Sequence, residues 1–345
     1  MSEEVAVPDV DAPLTKKDFT SDQMVRWCPG CGDYAILSSI QNVMPQMGVK
    51  KEDFVFISGI GCAARFPYYM NTYGFHTIHG RGPAVATGIK LANPKLSVWE
   101  VQGDGDALAI GGNHFIHVVR RNVDINILLF NNEIYGLTKG QYSPTSAKGL
   151  KTNSTPFGSL EAPFIAGELA IGAKATFFAR TIDTNPKLMT QLFLESAQHK
   201  GTSLIEILQN CVIYNDKTHG EVTSKETKDD NQLHLEHAKP MLFGADHSKG
   251  IILNGLKLEA VTIGENGVKE EDILIHDAHE PDPTLHMMLV RMVLPDMPVA
   301  LGIIRAVEAP TYDDMITEQI EETKKGAKLK NMDDLLSSGN TWEVN

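Results

Sequence analysis

The chain has 345 residues, 42% of them hydrophobic, which suffices for one large domain or one domain with an appendage. Its formal net charge of −13 argues against a nucleic-acid binder, which normally presents a basic face. No apolar run reaches the roughly 18 residues of a membrane span. The acidic opening SEEVAVPDVDAP lacks a signal peptide's basic and apolar regions, so a soluble cytoplasmic protein is expected.

In chain order, residues 1–20 are polar and proline-containing and read as an N-terminal arm. Trp27-Cys28-Pro29-Gly30-Cys31-Gly32 follows. Ile36 to Met47 has helical length, with Pro45 marking its end. Phe54 to Ile57 reads as a buried strand running into the glycine turn Ser58-Gly59-Ile60-Gly61-Cys62-Ala63-Ala64-Arg65. The polar stretch from His76 to Gly82 precedes a helix from about Pro83 to Ala92. The apolar runs Leu96–Val101 and Ile125–Phe130 have strand length, and Ile110–Arg121 between them has helical length. The first run leads into Gly103-Asp104-Gly105-Asp106, the second into Asn131-Asn132-Glu133-Ile134-Tyr135-Gly136. This is a β-turn-α-β unit with polar segments at the carboxyl ends of its strands, where open α/β sheets bind ligands. A helix from Pro163 to Gly172, a strand from Ala175 to Arg180, a helix from Asn185 to His199 and a strand from Ser203 to Leu208 complete five strands alternating with helices. That pattern predicts a parallel sheet covered on both faces. A domain of residues 21–214 is expected, with 215–345 as a C-terminal extension packed on it or on a partner. Lys225–Asp230 reads as a solvated loop, and Met315–Lys325 as a charged helix stopped by Gly326. There is no internal repeat and no second catalytic constellation.

The two polar segments carry the residue types of a magnesium–diphosphate site. Magnesium takes six oxygens in a tight octahedron. Asp104 offers a carboxylate, Asn132 an amide oxygen and Ile134 a backbone carbonyl; phosphate oxygens and water fill the rest. Asp106 is the nearest rival to Asp104. Gly103 and Gly105 let backbone approach a phosphate, and the helix from Ile110 points its amide-rich end at the same anion.

Four cysteines, Cys28, Cys31, Cys62 and Cys211, favour metal binding or catalysis over disulfides in a cytosolic chain. The CxxC alone reads as a redox dithiol, half of a zinc site or half of an iron–sulfur site. With the two scattered cysteines it can supply four thiolates to a [4Fe–4S] cluster. The competing reading of Cys62 is a small buried hydrophobe.

GDGD followed by NNEIYGLTKGQYSPT resembles the thiamine diphosphate motif. More narrowly, it resembles β subunits of 2-oxoacid:ferredoxin oxidoreductases, above all the 2-oxoglutarate type. The likeness runs from about Trp27 to Cys211 and resumes more loosely from about Leu235 to Tyr312. It implies a thiamine-diphosphate-binding α/β fold and a [4Fe–4S] cluster on Cys28, Cys31, Cys62 and Cys211. It implies cofactor contacts from the turn Ile60-Gly61-Cys62-Ala63, from His79 and from the loop residues Gly136, Leu137, Thr138 and Gln141. Arg65 and Lys139 are candidates for an anionic substrate or coenzyme A, against the plainer reading of each as a solvated cation. If Cys62 lies at the same sheet edge as Asp104, cluster and thiamine are neighbours.

The implied reaction is coenzyme-A-dependent oxidative decarboxylation of a 2-oxoacid, or its reverse, with electrons passed through the cluster to ferredoxin. The carboxylate that assists thiamine is not identifiable here. In the family it lies on a partner α subunit, so an αβ or α2β2 assembly is expected. Alternatives are a pyruvate-type enzyme of this kind, a non-redox thiamine decarboxylase subunit and a non-catalytic metal scaffold. The preference for 2-oxoglutarate rests on resemblance alone.

Overall fold

The computed structural model describes residues 13–326, 329, 331–342 and 344. Most of the expected N-terminal arm, residues 1–12, lies outside the described residues. The strands are β1 (Phe54–Ser58), β2 (Tyr73–His76), β3 (Ser97–Gly103), β4 (Asn126–Asn131), β5 (Ile134–Tyr135), β6 (Gln141–Tyr142), β7 (Phe177–Ile182), β8 (Ser203–Leu208), β9 (Gln232–Leu235), β10 (Leu242–Phe243), β11 (Lys249–Asn254), β12 (Lys257–Thr262) and β13 (Val299–Ala306). Eight of them form one sheet in the order β2–β1–β3–β4–β8–β7–β13–β9. The first six run parallel; β13 is antiparallel to β7 and parallel to β9.

Period-two alternation decides which residues face which layer. Val55, Ile57, Val98, Ile127, Leu129 and Leu204 face one side. There they meet helices α3 (Gly82–Ala92), α4 (Gly112–Arg121) and α5 (Ala166–Gly172). Phe54, Phe56, Trp99, Leu128, Phe130 and Ile205 face the other, under helices α1 (Asp33–Val43) and α6 (Pro186–Gln198). With both faces covered, the strands are apolar on both sides, as parallel strands must be.

The helices follow from their own residues. In α4, Phe115, Val118 and Val119 at i, i+3 and i+4 form the buried stripe, and Asn122 at φ 54° ends it. Asn185 caps α6 by accepting the Leu188 N–H at 3.1 Å, with Pro186 in the first turn.

The expected helix at Ile110 begins earlier. A π-helical turn spans Asp106–Ile110, and α4 starts at Gly112. Strand β2 went unread because its four residues are all exposed and lack the apolar run of a central strand. The helix expected from Pro163 starts at Ala166, since the Phe164 N–H bonds back to the Pro144 carbonyl at 2.8 Å instead of entering a helical ladder.

The tail joins the main sheet. Strands β9 and β13 extend it, so it is continuous across the 214/215 boundary. The charge run Lys225–Asp230 is not wholly loop: Lys228–Asn231 forms a helical turn, and Asp230 pairs with Lys249 at 2.7 Å. A charged helix spans Tyr312–Gly326. Among the described residues, no helix is long and apolar enough to cross a membrane.

Candidate functional site

Parallel strands release their following segments at a single edge of the sheet. From that edge leave Gly59–Cys62 after β1, Thr77–Arg81 after β2, Asp104–Asp106 after β3, Asn132–Gly136 after β4 and Gln209–Cys211 after β8. Most residues singled out from sequence lie on these segments.

Asp104 is 2% exposed, and its Oδ2 accepts the hydroxyls of Ser143 and Thr145, each at 2.5 Å. Burial nevertheless raises its carboxyl to about 6, against the opposing pull of those hydroxyls. Thr145 also lies 3.0 Å from the amide oxygen of Asn131, whose Nδ2 donates to Glu206 at 2.8 Å. Ser143, Thr145 and Asn131 were not singled out from sequence. The signal available was the hydroxyl-dense run Ser143-Pro144-Thr145-Ser146 soon after the asparagine pair.

Asp106 is equally buried but differently held. Its Oδ1 accepts the backbone N–H of Ile60 at 3.1 Å and of Gly80 at 2.7 Å, and it contacts His79 Nδ1. One carboxylate thus ties the turn after β1 to the turn after β2. Burial raises its carboxyl above the ordinary range. Asp106 Oδ2 is buried without a hydrogen-bond partner among the described residues. Such an atom normally meets a bound group or ordered water. Two glycines are required here. Gly61 sits at φ 131°, and a Cβ on Gly105 would lie 2.3 Å from the Tyr135 ring, whose hydroxyl donates to the Gly105 carbonyl at 3.0 Å.

Asn132 is half-buried. Its amide oxygen accepts the Ile134 N–H at 3.2 Å, and its Nδ2 donates to Gln209 at 2.8 Å. Ile134 is paired with Tyr142 across the β5–β6 hairpin. Thr138 and Gln141 do not present free polar groups; they bond each other across the turn, hydroxyl to amide oxygen at 2.5 Å and amide nitrogen to the Thr138 carbonyl at 2.9 Å. Their three-residue spacing around the loop puts them face to face. Leu137 is half exposed, and Lys139, at φ 77°, is exposed with no ion pair among the described residues.

Two of the four thiols lie against this loop, and the CxxC segment is tied to the segments that carry them. A Cβ on Gly136 would lie 3.5 Å from Cys211 Sγ and 3.7 Å from Cys62 Sγ. The Trp27 indole donates to the Cys62 carbonyl at 2.8 Å, pinning the CxxC segment to the turn after β1. Gln209 Nε2 reaches Cys31 Sγ at 3.3 Å, pinning it to the segment before Cys211. Burial pushes the Cys62 thiol up to about 12, reinforced by Asp33, Cys211 and Cys28, with Arg65 opposing. Cys31 is raised for the same first reason and also senses Asp33, Cys211 and Cys62. No disulfide joins them. Arg65 therefore stands beside Cys62, with no ion pair of its own among the described residues.

The donor chemistry fits the groups implied. One carboxylate, one amide and a backbone carbonyl are an all-oxygen set suited to magnesium. Four thiols on adjoining segments are the donor type of an iron–sulfur centre. Among the described residues, no three His, Cys, Asp or Glu side chains form a site for a single metal ion. A groove of about 870 Å3 between α6 and strands β9 and β13 lies elsewhere, lined by Leu188, Leu192, His199, His234 and His279 among others, and contains none of the motif residues.

Residues 59–207 match the family described as thiamine pyrophosphate enzyme, C-terminal TPP binding domain. The chain is 48% identical over 347 aligned positions to the 2-oxoglutarate oxidoreductase subunit KorB of Mycobacterium tuberculosis, covering 100% of this chain and 92% of that protein. It is 46% identical over 190 positions to 2-oxoacid:ferredoxin oxidoreductase 1, subunit beta, of Aeropyrum pernix, covering 55% of this chain and 60% of that one. The solved 2-oxoglutarate:ferredoxin oxidoreductase of Magnetococcus marinus, with 2-oxoglutarate, coenzyme A and succinyl-CoA bound, superposes with a TM-score of 0.76 at 29% identity over 95% of this chain and 97% of that one. The chain belongs to the family of β subunits of 2-oxoglutarate and 2-oxoacid:ferredoxin oxidoreductases.

Proposed function

We propose that this chain carries the thiamine diphosphate, magnesium and [4Fe–4S] sites of a 2-oxoglutarate:ferredoxin oxidoreductase that forms succinyl-CoA, or runs the reverse reaction, together with an α subunit. The observation that carries the reading is the packing of two thiols directly behind Gly136, in the loop that follows Asn132. When bound, thiamine diphosphate supplies the nucleophilic carbon for decarboxylation, magnesium neutralises its diphosphate, and the cluster accepts electrons one at a time for ferredoxin.

The chain's own residues divide the remaining work. Asp104, Asn132 and the Ile134 carbonyl hold magnesium. His79 has Nδ1 engaged by Asp106, which leaves Nε2 for a diphosphate oxygen. Cys28, Cys31, Cys62 and Cys211 bind the cluster as thiolates. The raised thiol values of Cys31 and Cys62 mean that metal loading there releases protons. Arg65 and Lys139, both without ion pairs among the described residues, attract the 2-oxoacid carboxylate or coenzyme A phosphates. Exposed Ile60, Ile78, Ile110 and Leu137 sit on the segments around the site, an apolar rim suited to burial under the α subunit. The partner supplies the carboxylate for thiamine.

Anaerobic copurification with the α subunit tests this, followed by iron and sulfide analysis and assays of several 2-oxoacids with a viologen acceptor. Brown protein with coenzyme-A-dependent turnover of 2-oxoglutarate is expected. Changing any one of the four cysteines to serine lowers iron, sulfide and ferredoxin-linked activity together. Turnover of pyruvate alone assigns a different substrate. Stoichiometric zinc without iron removes the electron-transfer role.

A further inference from the structure

A buried ion pair lies in the sheet where apolar residues are the rule. Arg180 of β7 and Glu206 of β8 are register partners, 4% and 2% exposed, with Arg180 Nε donating to Glu206 Oε2 at 2.7 Å. Glu206 shares its sheet face with Leu204, Ile127 and Leu129. Buried ion pairs contribute little net stability over apolar side chains of the same volume. Stability alone therefore does not account for this one.

The pair is the start of a chain of contacts. Glu206 Oε1 accepts Asn131 Nδ2 at 2.8 Å, which turns the amide oxygen of Asn131 the other way, to within 3.0 Å of the Thr145 hydroxyl. Thr145 in turn lies 2.5 Å from Asp104 Oδ2. Every member is buried: Asn131 is 6% exposed, Thr145 4% and Asp104 2%. Ser143 addresses the same Oδ2, so both hydroxyls hold one oxygen of Asp104 and neither takes Oδ1.

We infer that Arg180 and Glu206 are positioning residues for the cation site: they fix the amide of Asn131, the Asn131 oxygen and Asp104 Oδ2 share the one Thr145 hydroxyl proton in a three-centre contact that sets the place of Thr145, and Thr145 with Ser143 holds Oδ2 of Asp104 so that Oδ1 is left for the metal. The inference rests on the magnesium reading of Asp104. Groups that orient a metal-ligating carboxylate typically change metal affinity by about 10–100-fold when removed.

The test uses Mn2+ in place of magnesium, titrated by electron paramagnetic resonance in the presence of thiamine diphosphate on the chain copurified with its α subunit. Thr145→Val keeps the shape and removes the hydroxyl; it weakens Mn2+ binding by about 10–100-fold, and Thr145→Ser restores it. The paired substitution Arg180→Met with Glu206→Leu replaces the ion pair by apolar volume. It weakens Mn2+ in the same direction as Thr145→Val, whereas Glu206→Gln, which keeps an acceptor for Asn131 Nδ2, retains wild-type Mn2+ affinity. A purely structural ion pair gives a lower melting temperature with unchanged affinity. Wild-type Mn2+ affinity in Thr145→Val overturns the inference even if the paired variant does not fold. Asp104→Ala separates the two levels. If it abolishes Mn2+ binding while Thr145→Val does not, the magnesium reading stands and the positioning chain falls. If Asp104→Ala itself binds Mn2+ normally, the magnesium reading falls and the inference with it.

Discussion

Asp104 and Asp106 are two residues apart, equally buried and of one chemistry, yet the structure uses them differently. Asp106 accepts backbone N–H groups from two separate turns and contacts His79. Two of these three partners are main chain, so it acts on the path of the chain. Asp104 is held chiefly by the side-chain hydroxyls of Ser143 and Thr145, both on one oxygen, with the adjacent Gly105 amide assisting. The same hydroxyls lie close to further polar atoms: Ser143 and Thr145 are 3.1 Å apart, and Thr145 is 3.0 Å from the Asn131 amide oxygen. A carboxylate tied to backbone holds a scaffold. One tied to side-chain hydroxyls is oriented by them without fixing the path of the chain, and its other oxygen takes no part in those bonds.

Substitutions break this contrast in a predictable order. Asp104→Ala abolishes magnesium-dependent thiamine diphosphate binding while the fold survives; cofactor occupancy and circular dichroism of the purified variant check both halves. Full occupancy would place the metal on Asp106 instead. Asp106→Ala does the reverse first. It leaves the Gly80 and Ile60 N–H groups without their acceptor, at about 1–3 kcal/mol for each unsatisfied buried donor. Stability to denaturant therefore falls by about 2–6 kcal/mol, and a variant as stable as wild type would mean that the two turns do not depend on this knot.

Lys139→Ala probes the mouth of the site rather than its floor. One charge-assisted hydrogen bond to an anion contributes about 1.5–3 kcal/mol. The kcat/KM for the 2-oxoacid, for coenzyme A or for both should drop about 10- to 150-fold, with thiamine and cluster content unchanged. Unaltered kinetics for both ligands would make Lys139 a solvated cation. Loss of thiamine would mean that its ammonium reaches the diphosphate.

The last effect is a gain and depends on pH. The Asp104 carboxyl sits at about 6, above its ordinary 3.8, chiefly through burial. A carboxyl raised in the folded chain holds its proton more tightly there than when unfolded. Its contribution to stability is present below 3.8, is lost as pH rises through about 6, and is flat above that. At about 1.4 kcal/mol for each unit of difference, metal-free Asp104→Asn should be more stable than wild type by about 1–3 kcal/mol at pH 7. The advantage should vanish below pH 4, as acid-dependent denaturant titrations in a chelator would read out. An equal gain at all pH values would assign it to packing rather than to the buried charge.

The motif residues were legible because their chemistry is local. Glycine turns after apolar runs mark strand ends, and strand ends of a parallel sheet share an edge, which by itself puts Cys62 and Asp104 on the same edge. The same logic found the helices that carry a buried stripe, such as Phe115, Val118 and Val119 in α4. It did not find β2, which is exposed on all four residues, nor the entry of β9 and β13 into the main sheet. Pairing with a strand far away in sequence leaves no signature in the segment's own residues.

The sequence by itself determined the alternation of strands and helices, the edge at which the site is built and the residue types gathered there. Those follow from side-chain periodicity and turn chemistry, which act over a few residues. Only the tertiary structure decided that Asp106 ties two turns while Asp104 meets hydroxyls, that Thr138 and Gln141 satisfy each other, and that Arg180 and Glu206 lie at the far end of a chain leading to Asp104. Each of these depends on which buried polar atoms come within hydrogen-bond reach. That is set by strand order and loop packing across tens of residues, because a buried donor or acceptor takes whatever partner the fold places beside it.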